Sequence, residues 1–203
     1  MADLSLYDKR SIGKLFDLAL LPKNITEEDV RQGARDAVQY NCAAYYTNSY
    51  FWSPVAKEEL ADSDVLLAVG IDFPWGMSPS AVKAFEAEQA VKAGCQALDI
   101  SINMGALRSK MYDVVLQELR DFKTAAQGAL TKAIIEFCFA TLDEIEVACK
   151  LIAEAGIDYC KTGTGQFEGL DMNQFVVMKE TLAGTGVKLK VSGVKYPRPQ
   201  NAY

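Results

Sequence analysis

The chain has 203 residues, of which 50% are hydrophobic and 24% are charged, and its formal net charge is −6. This balance is typical of a soluble globular protein with its own core, and the negative charge argues against nucleic acid or an anionic membrane surface as a partner. The sequence contains no histidine, which excludes Ser-His-Asp catalysis, Cys-His catalysis and imidazole metal sites. Acid–base and nucleophilic chemistry must therefore come from lysine, carboxylate, tyrosine, cysteine or serine side chains.

The cysteines indicate a reducing compartment. Five of them occur without a Cys-x-x-Cys pair, at Cys42, Cys95, Cys138, Cys149 and Cys160. An odd number of scattered cysteines predicts reduced, buried thiols, so we expect a cytoplasmic protein. The N-terminus lacks the basic and apolar regions of a signal peptide, and no apolar run reaches the length of a membrane span.

Short apolar runs alternate with longer amphipathic stretches along the chain. The runs predict seven strands, at residues 16–21, 43–47, 66–71, 98–103, 133–137, 159–162 and 189–192. The stretches between them predict helices, and two of these helices begin at capping boxes, Thr26-x-x-Asp29 and Thr141-x-x-Glu144.

This alternation predicts parallel strands that are covered by helices. No G-x-G-x-x-G follows the first strand, which argues against a doubly wound dinucleotide-binding sheet. We therefore expect one α/β domain, residues 1–203, folded as a TIM (β/α)8-type barrel. A complete barrel of this type takes about 250 residues, so the expected barrel lacks its last helix–strand–helix portion.

Four charged residues stand within or beside the predicted strands. They are Asp99, Lys132, Lys161 and Lys190. In a barrel, catalytic side chains lie at the C-terminal ends of the strands. A second cation and removal from water together lower the pKa of a lysine amine and make it nucleophilic. Lys161 and Lys190, on adjacent predicted strands, could form such a pair, and Asp99 could move protons beside them. The alternative is that these lysines end their strands and extend their ammonium groups to solvent.

A glycine-rich turn directly follows Lys161. The turn consists of Thr162, Gly163, Thr164 and Gly165, and Ser192 with Gly193 stands in the equivalent place after the seventh strand. Such turns present backbone N–H groups to an anion, and barrels bind phosphate in the loops after their last two strands. Lys195 and Arg198 follow closely and add positive charge. We expect a small phosphorylated ligand here, and the alternative is an ordinary turn between strand and loop.

Five segments, taken in chain order, carry a family resemblance. They read Ile71-Asp-Phe-Pro-Trp-Gly76, Val82-Lys-Ala-Phe-Glu-Ala87, Ala97-Leu-Asp-Ile-Ser-Ile-Asn-Met-Gly-Ala-Leu107, Lys132-Ala-Ile-Ile-Glu136 and Ala155-Gly-Ile-Asp-Tyr-Cys-Lys-Thr-Gly-Thr-Gly165. In these segments the chain resembles the deoxyribose-phosphate aldolase family, the DeoC-type class I aldolases. The resemblance implies a carbon–carbon lyase that reversibly cleaves 2-deoxyribose 5-phosphate into acetaldehyde and glyceraldehyde 3-phosphate. It implies no metal and no cofactor, because the iminium formed on a lysine is the electron sink.

The resemblance also implies a role for each candidate residue. Lys161 matches the Schiff-base lysine, and Lys190 matches the second lysine, which promotes deprotonation of the first. Asp99 matches the acid–base aspartate, and Lys132 a charged member of the proton relay. Asp17 matches the active-site aspartate of the first strand.

Departures from the family pattern keep two alternatives open. Ala19 stands where members usually carry threonine, and Tyr46 where they often carry cysteine, so the pocket could accept a different aldehyde or sugar phosphate. The phosphate loop after the seventh strand is reduced to Gly193-Val-Lys195, and the eighth strand is missing. The second alternative is therefore a truncated, non-catalytic relative. Open edges on the first and seventh strands also favour self-association into a homo-oligomer.

Overall fold

The computed structural model describes residues 6–8, 11–169 and 171–193 of the chain. The strands are β1 (Asp17–Leu20), β2 (Ala44–Thr47), β3 (Leu66–Ile71), β4 (Ala97–Ser101), β5 (Leu130–Ile134), β6 (Tyr159–Lys161) and β7 (Lys188–Lys190). The helices are α1 (Glu27–Gln39), α2 (Ser53–Leu60), α3 (Ser80–Lys92), α4 (Met104–Arg108), α5 (Tyr112–Ala125), α6 (Leu142–Glu154) and α7 (Met172–Thr181). Each predicted strand overlaps an observed one.

Across these described ranges, none of the helices combines the length and the apolar character that a bilayer crossing requires.

The strands keep their chain order in the sheet, from β1 to β7. β1 pairs with β2, β2 with β3, β5 with β6 and β6 with β7, each in parallel. Parallel neighbours that are joined through helices confirm the predicted alternation. In such pairs, residues in register leave the sheet on the same face. Two of these register pairs, Lys132 with Tyr159 and Lys161 with Lys190, position the candidate site.

The fifth strand differs most from its predicted bounds. It spans Leu130–Ile134 instead of residues 133–137. Glu136 has a φ of 58°, in the left-handed region, so regular strand geometry ends before it. The apolar pattern alone does not show this, because Ile135 and Phe137 are buried as strand residues would be. Their N–H groups also donate to the carbonyls of Lys161 and Thr162, as in a continuing strand.

The chain divides into two compact units. The first comprises the described residues up to Gly70 together with Gln89–Leu98. The second comprises Ile71–Glu88 and the described residues from Asp99 onward. Buried apolar residues occur in both units, for example Val30 and Tyr45 in the first and Leu119 and Ile134 in the second.

In the first unit, α1 packs on β1, β2 and α2. It begins with the predicted capping box, in which Thr26 Oγ1 accepts from the N–H of Asp29 and the Asp29 carboxylate accepts from the N–H of Thr26. Its buried face includes Val30 and Ala34. The Tyr45 hydroxyl of β2 donates to the Val30 carbonyl at 3.0 Å, and burial raises the pKa of Tyr45. The helix is therefore fixed to the sheet by packing and by one buried hydrogen bond.

In the second unit, Asp158 connects the start of β6 to β5 and α5. One carboxylate oxygen, Oδ2, accepts from the Thr131 N–H at 2.8 Å, the Thr131 hydroxyl at 2.7 Å and the Lys123 ammonium at 2.8 Å. Burial by itself raises the pKa of Asp158, but the hydrogen bonds from Lys123 and Thr131 outweigh it and hold the pKa below its ordinary value. The folded state therefore favours the charged carboxylate.

We expect Asp158→Asn to destabilise the protein in a pH-dependent way. The pKa of Asp158 is lower in the folded protein than in the unfolded chain, so the charged carboxylate stabilises the fold at pH values above the ordinary aspartate pKa of about 3.9. This stabilisation is lost as the pH falls through the pKa of the folded state. Urea unfolding of parent and variant between about pH 7 and pH 3 should show their free energies of unfolding converging below about pH 4. Asp62→Asn, at an exposed turn, is the control. A difference that is the same at every pH would contradict the assignment.

Candidate active site

Asp99 lies at the centre of a cluster of charges in the second unit. Its side chain, on β4, is 1% exposed. Lys161 Nζ on β6 donates to Asp99 Oδ2 at 2.7 Å, and Lys132 Nζ on β5 lies 3.5 Å from Asp99 Oδ1. One buried carboxylate thus holds two ammonium groups, one at each oxygen. Such a group is well placed to exchange protons with whatever reacts at either lysine.

The register of the strands places Lys190 beside Lys161. The two are partners in the parallel pair of β6 and β7, so their side chains leave the same face of strands about 4.8 Å apart. The Thr162 N–H donates to the Lys190 carbonyl at 3.1 Å and continues this register. Lys132 is in register with Tyr159, two residues before Lys161, and therefore shares that face. The structure thus brings together four of the five predicted catalytic residues.

Asp17, the fifth, begins β1 and belongs to the first unit, whereas the other four belong to the second. Ala19 and Tyr46 are in register with each other on β1 and β2 of that first unit. Lys195 and Arg198, which were expected to add positive charge near the phosphate, lie outside the described residues.

The two turns predicted to bind phosphate are hydrogen-bonded to each other. The Thr162 hydroxyl donates to the Ser192 carbonyl and accepts from the Ser192 N–H, both at 3.0 Å. The Ser192 hydroxyl donates to the Gly163 carbonyl. Gly165 and Gly193 face each other, so that a Cβ on Gly193 would lie 3.5 Å from the Gly165 Cα. The turns after β6 and β7 therefore form one continuous structure.

Glu136 is a residue of this site that the sequence analysis did not single out. Its carboxylate accepts from the Thr164 N–H, at 3.2 Å for Oε1 and 3.0 Å for Oε2. Burial raises its pKa, and the hydrogen bonds from Thr164 and the charge of Lys161 oppose that rise. The available signal was weak, because it consists only of a glutamate that directly follows an apolar strand.

A pocket of about 650 Å³ opens beside the two turns, and its lining includes Gly165, Phe167, Glu168 and Gly193. The Phe167 ring contacts Trp75 at 5.7 Å and Phe139 at 5.0 Å between centroids. The pocket thus has a backbone wall of glycines and an aromatic wall. Within the ranges that the structure describes, no three or more cysteine, aspartate or glutamate side chains are grouped to hold a metal ion.

A buried lysine connects the loop after β3 to the end of β4. Lys83 on α3 is 1% exposed, and its Nζ donates to the Gly76 carbonyl at 2.8 Å, the Ser101 carbonyl at 2.9 Å and Glu118 Oε2 at 2.7 Å. Burial raises the pKa of Glu118, and the nearby Lys83 ammonium opposes that rise. Gly76 has a φ of 66°, and a Cβ there would lie 2.4 Å from the Ile102 carbonyl oxygen. This network fixes the end of β4, the strand that carries Asp99.

Comparison with known proteins decides the family. The model of the DeoC/LacD family aldolases matches residues 11–194. The chain belongs to this family. Relatives of this aldolase include the deoxyribose-phosphate aldolase of Coprothermobacter proteolyticus, which is 40% identical over 180 residues, 89% of this chain and 82% of the relative. The deoxyribose-phosphate aldolase of Clostridium novyi is 40% identical over 185 residues, 90% of this chain and 82% of the relative. The solved tetrameric deoxyribose phosphate aldolase of Aeropyrum pernix superimposes with a TM-score of 0.84 at 26% identity, over 94% of this chain and 81% of that one.

Membership confirms the resemblance read from the sequence and the expected fold class. The fold of this aldolase is of the TIM-barrel type, with parallel strands that alternate with helices. Aldolases are carbon–carbon lyases, so the enzyme class expected from the sequence is also confirmed.

Proposed function

We propose that this aldolase reversibly cleaves 2-deoxyribose 5-phosphate into acetaldehyde and glyceraldehyde 3-phosphate through a Schiff base on Lys161. The observation that carries the proposal is the contact of Lys161 with the buried Asp99 carboxylate, at 2.7 Å, with Lys190 in register on the next strand. A lysine beside a second cation and a buried proton carrier has the groups that amine catalysis needs. The names of the two curated relatives support the substrate.

The chemistry begins with attack of the neutral Lys161 amine on the C1 aldehyde of the open-chain sugar. Water leaves and an iminium forms. A base then removes the proton from the C3 hydroxyl, the C2–C3 bond breaks, and its electron pair moves into the iminium to give an enamine. Glyceraldehyde 3-phosphate departs, the enamine is protonated at C2, and water releases acetaldehyde and free Lys161. The iminium is the electron sink, so no metal or cofactor is needed.

Each charged neighbour has a role in this scheme. Asp99 exchanges protons with the reacting sugar, and Lys132, 3.5 Å from its second oxygen, holds the carboxylate in place and extends the relay. Lys190 contributes a second positive charge beside Lys161, in register on the next strand. Asp17 is proposed as a further member of the active site only because it matches the family's first-strand motif.

The phosphate is proposed to bind at the two joined turns. The residues are Thr162, Gly163, Thr164, Gly165, Ser192 and Gly193. Two observations support this phosphate site. Gly165 and Gly193 line the pocket, and glycines leave their backbone groups accessible to an anion.

A second candidate function retains the Schiff base and changes the substrate. Glu168 also lines this pocket, and its negative charge opposes a phosphate dianion there. A different aldehyde or an unphosphorylated sugar would not meet that repulsion. Rates of cleavage of 2-deoxyribose 5-phosphate and of 2-deoxyribose by the same preparation distinguish the two candidates.

We expect acetaldehyde and sodium borohydride to trap the intermediate. Reduction of the imine leaves an ethyl group on the lysine nitrogen, and peptide mass spectrometry should locate it on Lys161. Lys188→Ala, which removes an exposed lysine of β7, should leave the labelling unchanged. Absence of an adduct on a folded protein that also fails to cleave the sugar phosphate would overturn the proposal.

The cellular setting and assembly are also proposals. Five cysteines without a disulfide support a reducing compartment, and we place the enzyme in the cytoplasm, in carbohydrate catabolism. The tetrameric structure of the Aeropyrum pernix protein supports a homo-oligomer. Light scattering coupled to size exclusion measures its size.

A further inference from the structure

Glu136 occupies an unusual backbone position between β5 and the following loop. Its φ of 58° and ψ of 74° lie in the left-handed region, which residues other than glycine and asparagine rarely adopt. The residues on either side are fixed, because the Ile135 N–H donates to the Lys161 carbonyl at 3.0 Å and the Phe137 N–H donates to the Thr162 carbonyl at 2.9 Å. The surrounding structure therefore enforces a conformation that the residue itself does not favour.

This conformation directs the carboxylate into the turn after β6. Both oxygens accept from the Thr164 N–H, and the residue is only 9% exposed. A Cβ on Gly163 would lie 2.6 Å from Glu136 Oε1, so the carboxylate fills the space that any side chain at position 163 would need. The carboxylate therefore lies against Gly163 as well as against the Thr164 N–H.

The turn is held from two sides. On one side Thr162 and Gly163 are hydrogen-bonded to Ser192, which links the turn to the loop after β7. On the other side the only described side chain that accepts from the Thr164 N–H is that of Glu136. The glycine wall of the pocket therefore depends on this carboxylate for its position.

We propose that Glu136 is a positioning residue for phosphate recognition: it orients the Thr162–Gly165 turn so that the glycine wall can bind the phosphate of the substrate. This inference rests on the proposed function. A carboxylate is itself a poor ligand for a phosphate dianion, because the two charges repel. Its effect must therefore pass through the turn that it holds.

The test compares two substitutions on two substrates. Glu136→Ala removes the acceptor of the Thr164 N–H, whereas Glu136→Gln keeps a carbonyl oxygen that can accept it. We expect Glu136→Ala to lower kcat/KM for 2-deoxyribose 5-phosphate by about tenfold or more relative to kcat/KM for 2-deoxyribose, the effect of losing a hydrogen bond to a charged group. The loss should appear mainly as a higher KM, and Glu136→Gln should restore most of it. Glu146→Ala, an exposed glutamate of α6, is the matched control.

The outcomes separate this inference from the proposed function. If Glu136→Ala lowers the rates on both substrates equally, the residue supports only the fold and the inference is wrong. If Glu136→Gln behaves like Glu136→Ala, the hydrogen bond to Thr164 is not the cause, and the inference is again wrong.

If the parent protein cleaves neither sugar, the proposed function fails, and the inference is tested by thermal unfolding with inorganic phosphate. Phosphate should then raise the melting temperature of the parent and of Glu136→Gln but not that of Glu136→Ala, and an equal rise in all three would overturn the inference.

Discussion

Lys161→Arg is expected to lower kcat/KM for cleavage of 2-deoxyribose 5-phosphate by about 10⁴-fold or more. A guanidinium stays protonated in proteins and offers no lone pair to a carbonyl, so the iminium cannot form. Arginine nevertheless keeps a positively charged donor at the position from which Lys161 Nζ donates to Asp99 Oδ2 at 2.7 Å. The buried carboxylate keeps a partner, and the loss of activity reports chemistry more than unfolding. Steady-state kinetics on purified protein, with circular dichroism as the check on folding, gives the measurement.

The control for this prediction is Lys188→Arg, an exposed position on β7 two residues from Lys190. It should leave kcat/KM within about twofold of the parent, as expected for a surface substitution. Activity of Lys161→Arg above about one hundredth of the parent value would place the reactive amine elsewhere, with Lys190 as the next candidate. Borohydride trapping on the variant would then show which lysine carries the adduct.

Lys83→Met is expected to lower the free energy of unfolding by about 3–5 kcal/mol. Glu118, 2% exposed, would lose the cation at 2.7 Å and remain as an uncompensated buried charge. The carbonyls of Gly76 and Ser101 would lose their ammonium donor as well. Urea unfolding followed by circular dichroism measures the loss, and Lys92→Met, at the exposed end of the same helix, is the control.

The double variant Lys83→Met/Glu118→Leu separates charge from hydrogen bonding. Removing both charges should recover much of the loss, because a buried ion pair is replaced by apolar side chains of similar size. We expect a residual loss of about 1–3 kcal/mol, because the Asn103 N–H, which donates to Glu118, and the two carbonyls remain without these partners. A double variant no more stable than Lys83→Met alone would show that the two charges do not depend on each other.

The sequence predicted the parallel strands, and it singled out Asp99 and three lysines that the structure places together, for an identifiable reason. The alternation of strands and helices depends on short-range patterns. Asp99, Lys132, Lys161 and Lys190 stand out in these patterns because they are charged residues within or beside apolar predicted strands. The pairing of Lys161 with Lys190 and the proton transfer by Asp99 were hypotheses from the residues, whereas the role of Lys132 came from the resemblance. The contacts of Lys161 and Lys132 with Asp99 could be seen only in the structure.

Lys83 shows why the rest could not be predicted. On α3, the apolar Val82 and Phe85 are exposed, whereas the charged Lys83 is buried. Amphipathic periodicity assigns these positions the other way round, because it assumes that lysine prefers water. That assumption fails when three acceptors surround the ammonium. Two of them here are backbone carbonyls, of Gly76 before the helix and of Ser101 at the end of β4.

Glu136 was missed for a different reason. Its importance depends on a left-handed backbone conformation and on a turn 28 residues later in the chain. Neither is encoded in a local motif. The expectation that the turn would present its N–H groups to a ligand therefore did not anticipate that the Thr164 N–H already has a carboxylate acceptor.

The distribution of the thiols makes the pocket open to selective chemical labelling. Cys42, Cys95, Cys149 and Cys160 are buried, whereas Cys138 is partly exposed and lines the pocket. Burial and the nearby carboxylate of Glu136 raise the pKa of Cys138, so alkylation of the native protein proceeds faster at alkaline pH. A maleimide dye attached there would sit on the pocket wall and report its occupancy by a change in fluorescence, without any engineered cysteine.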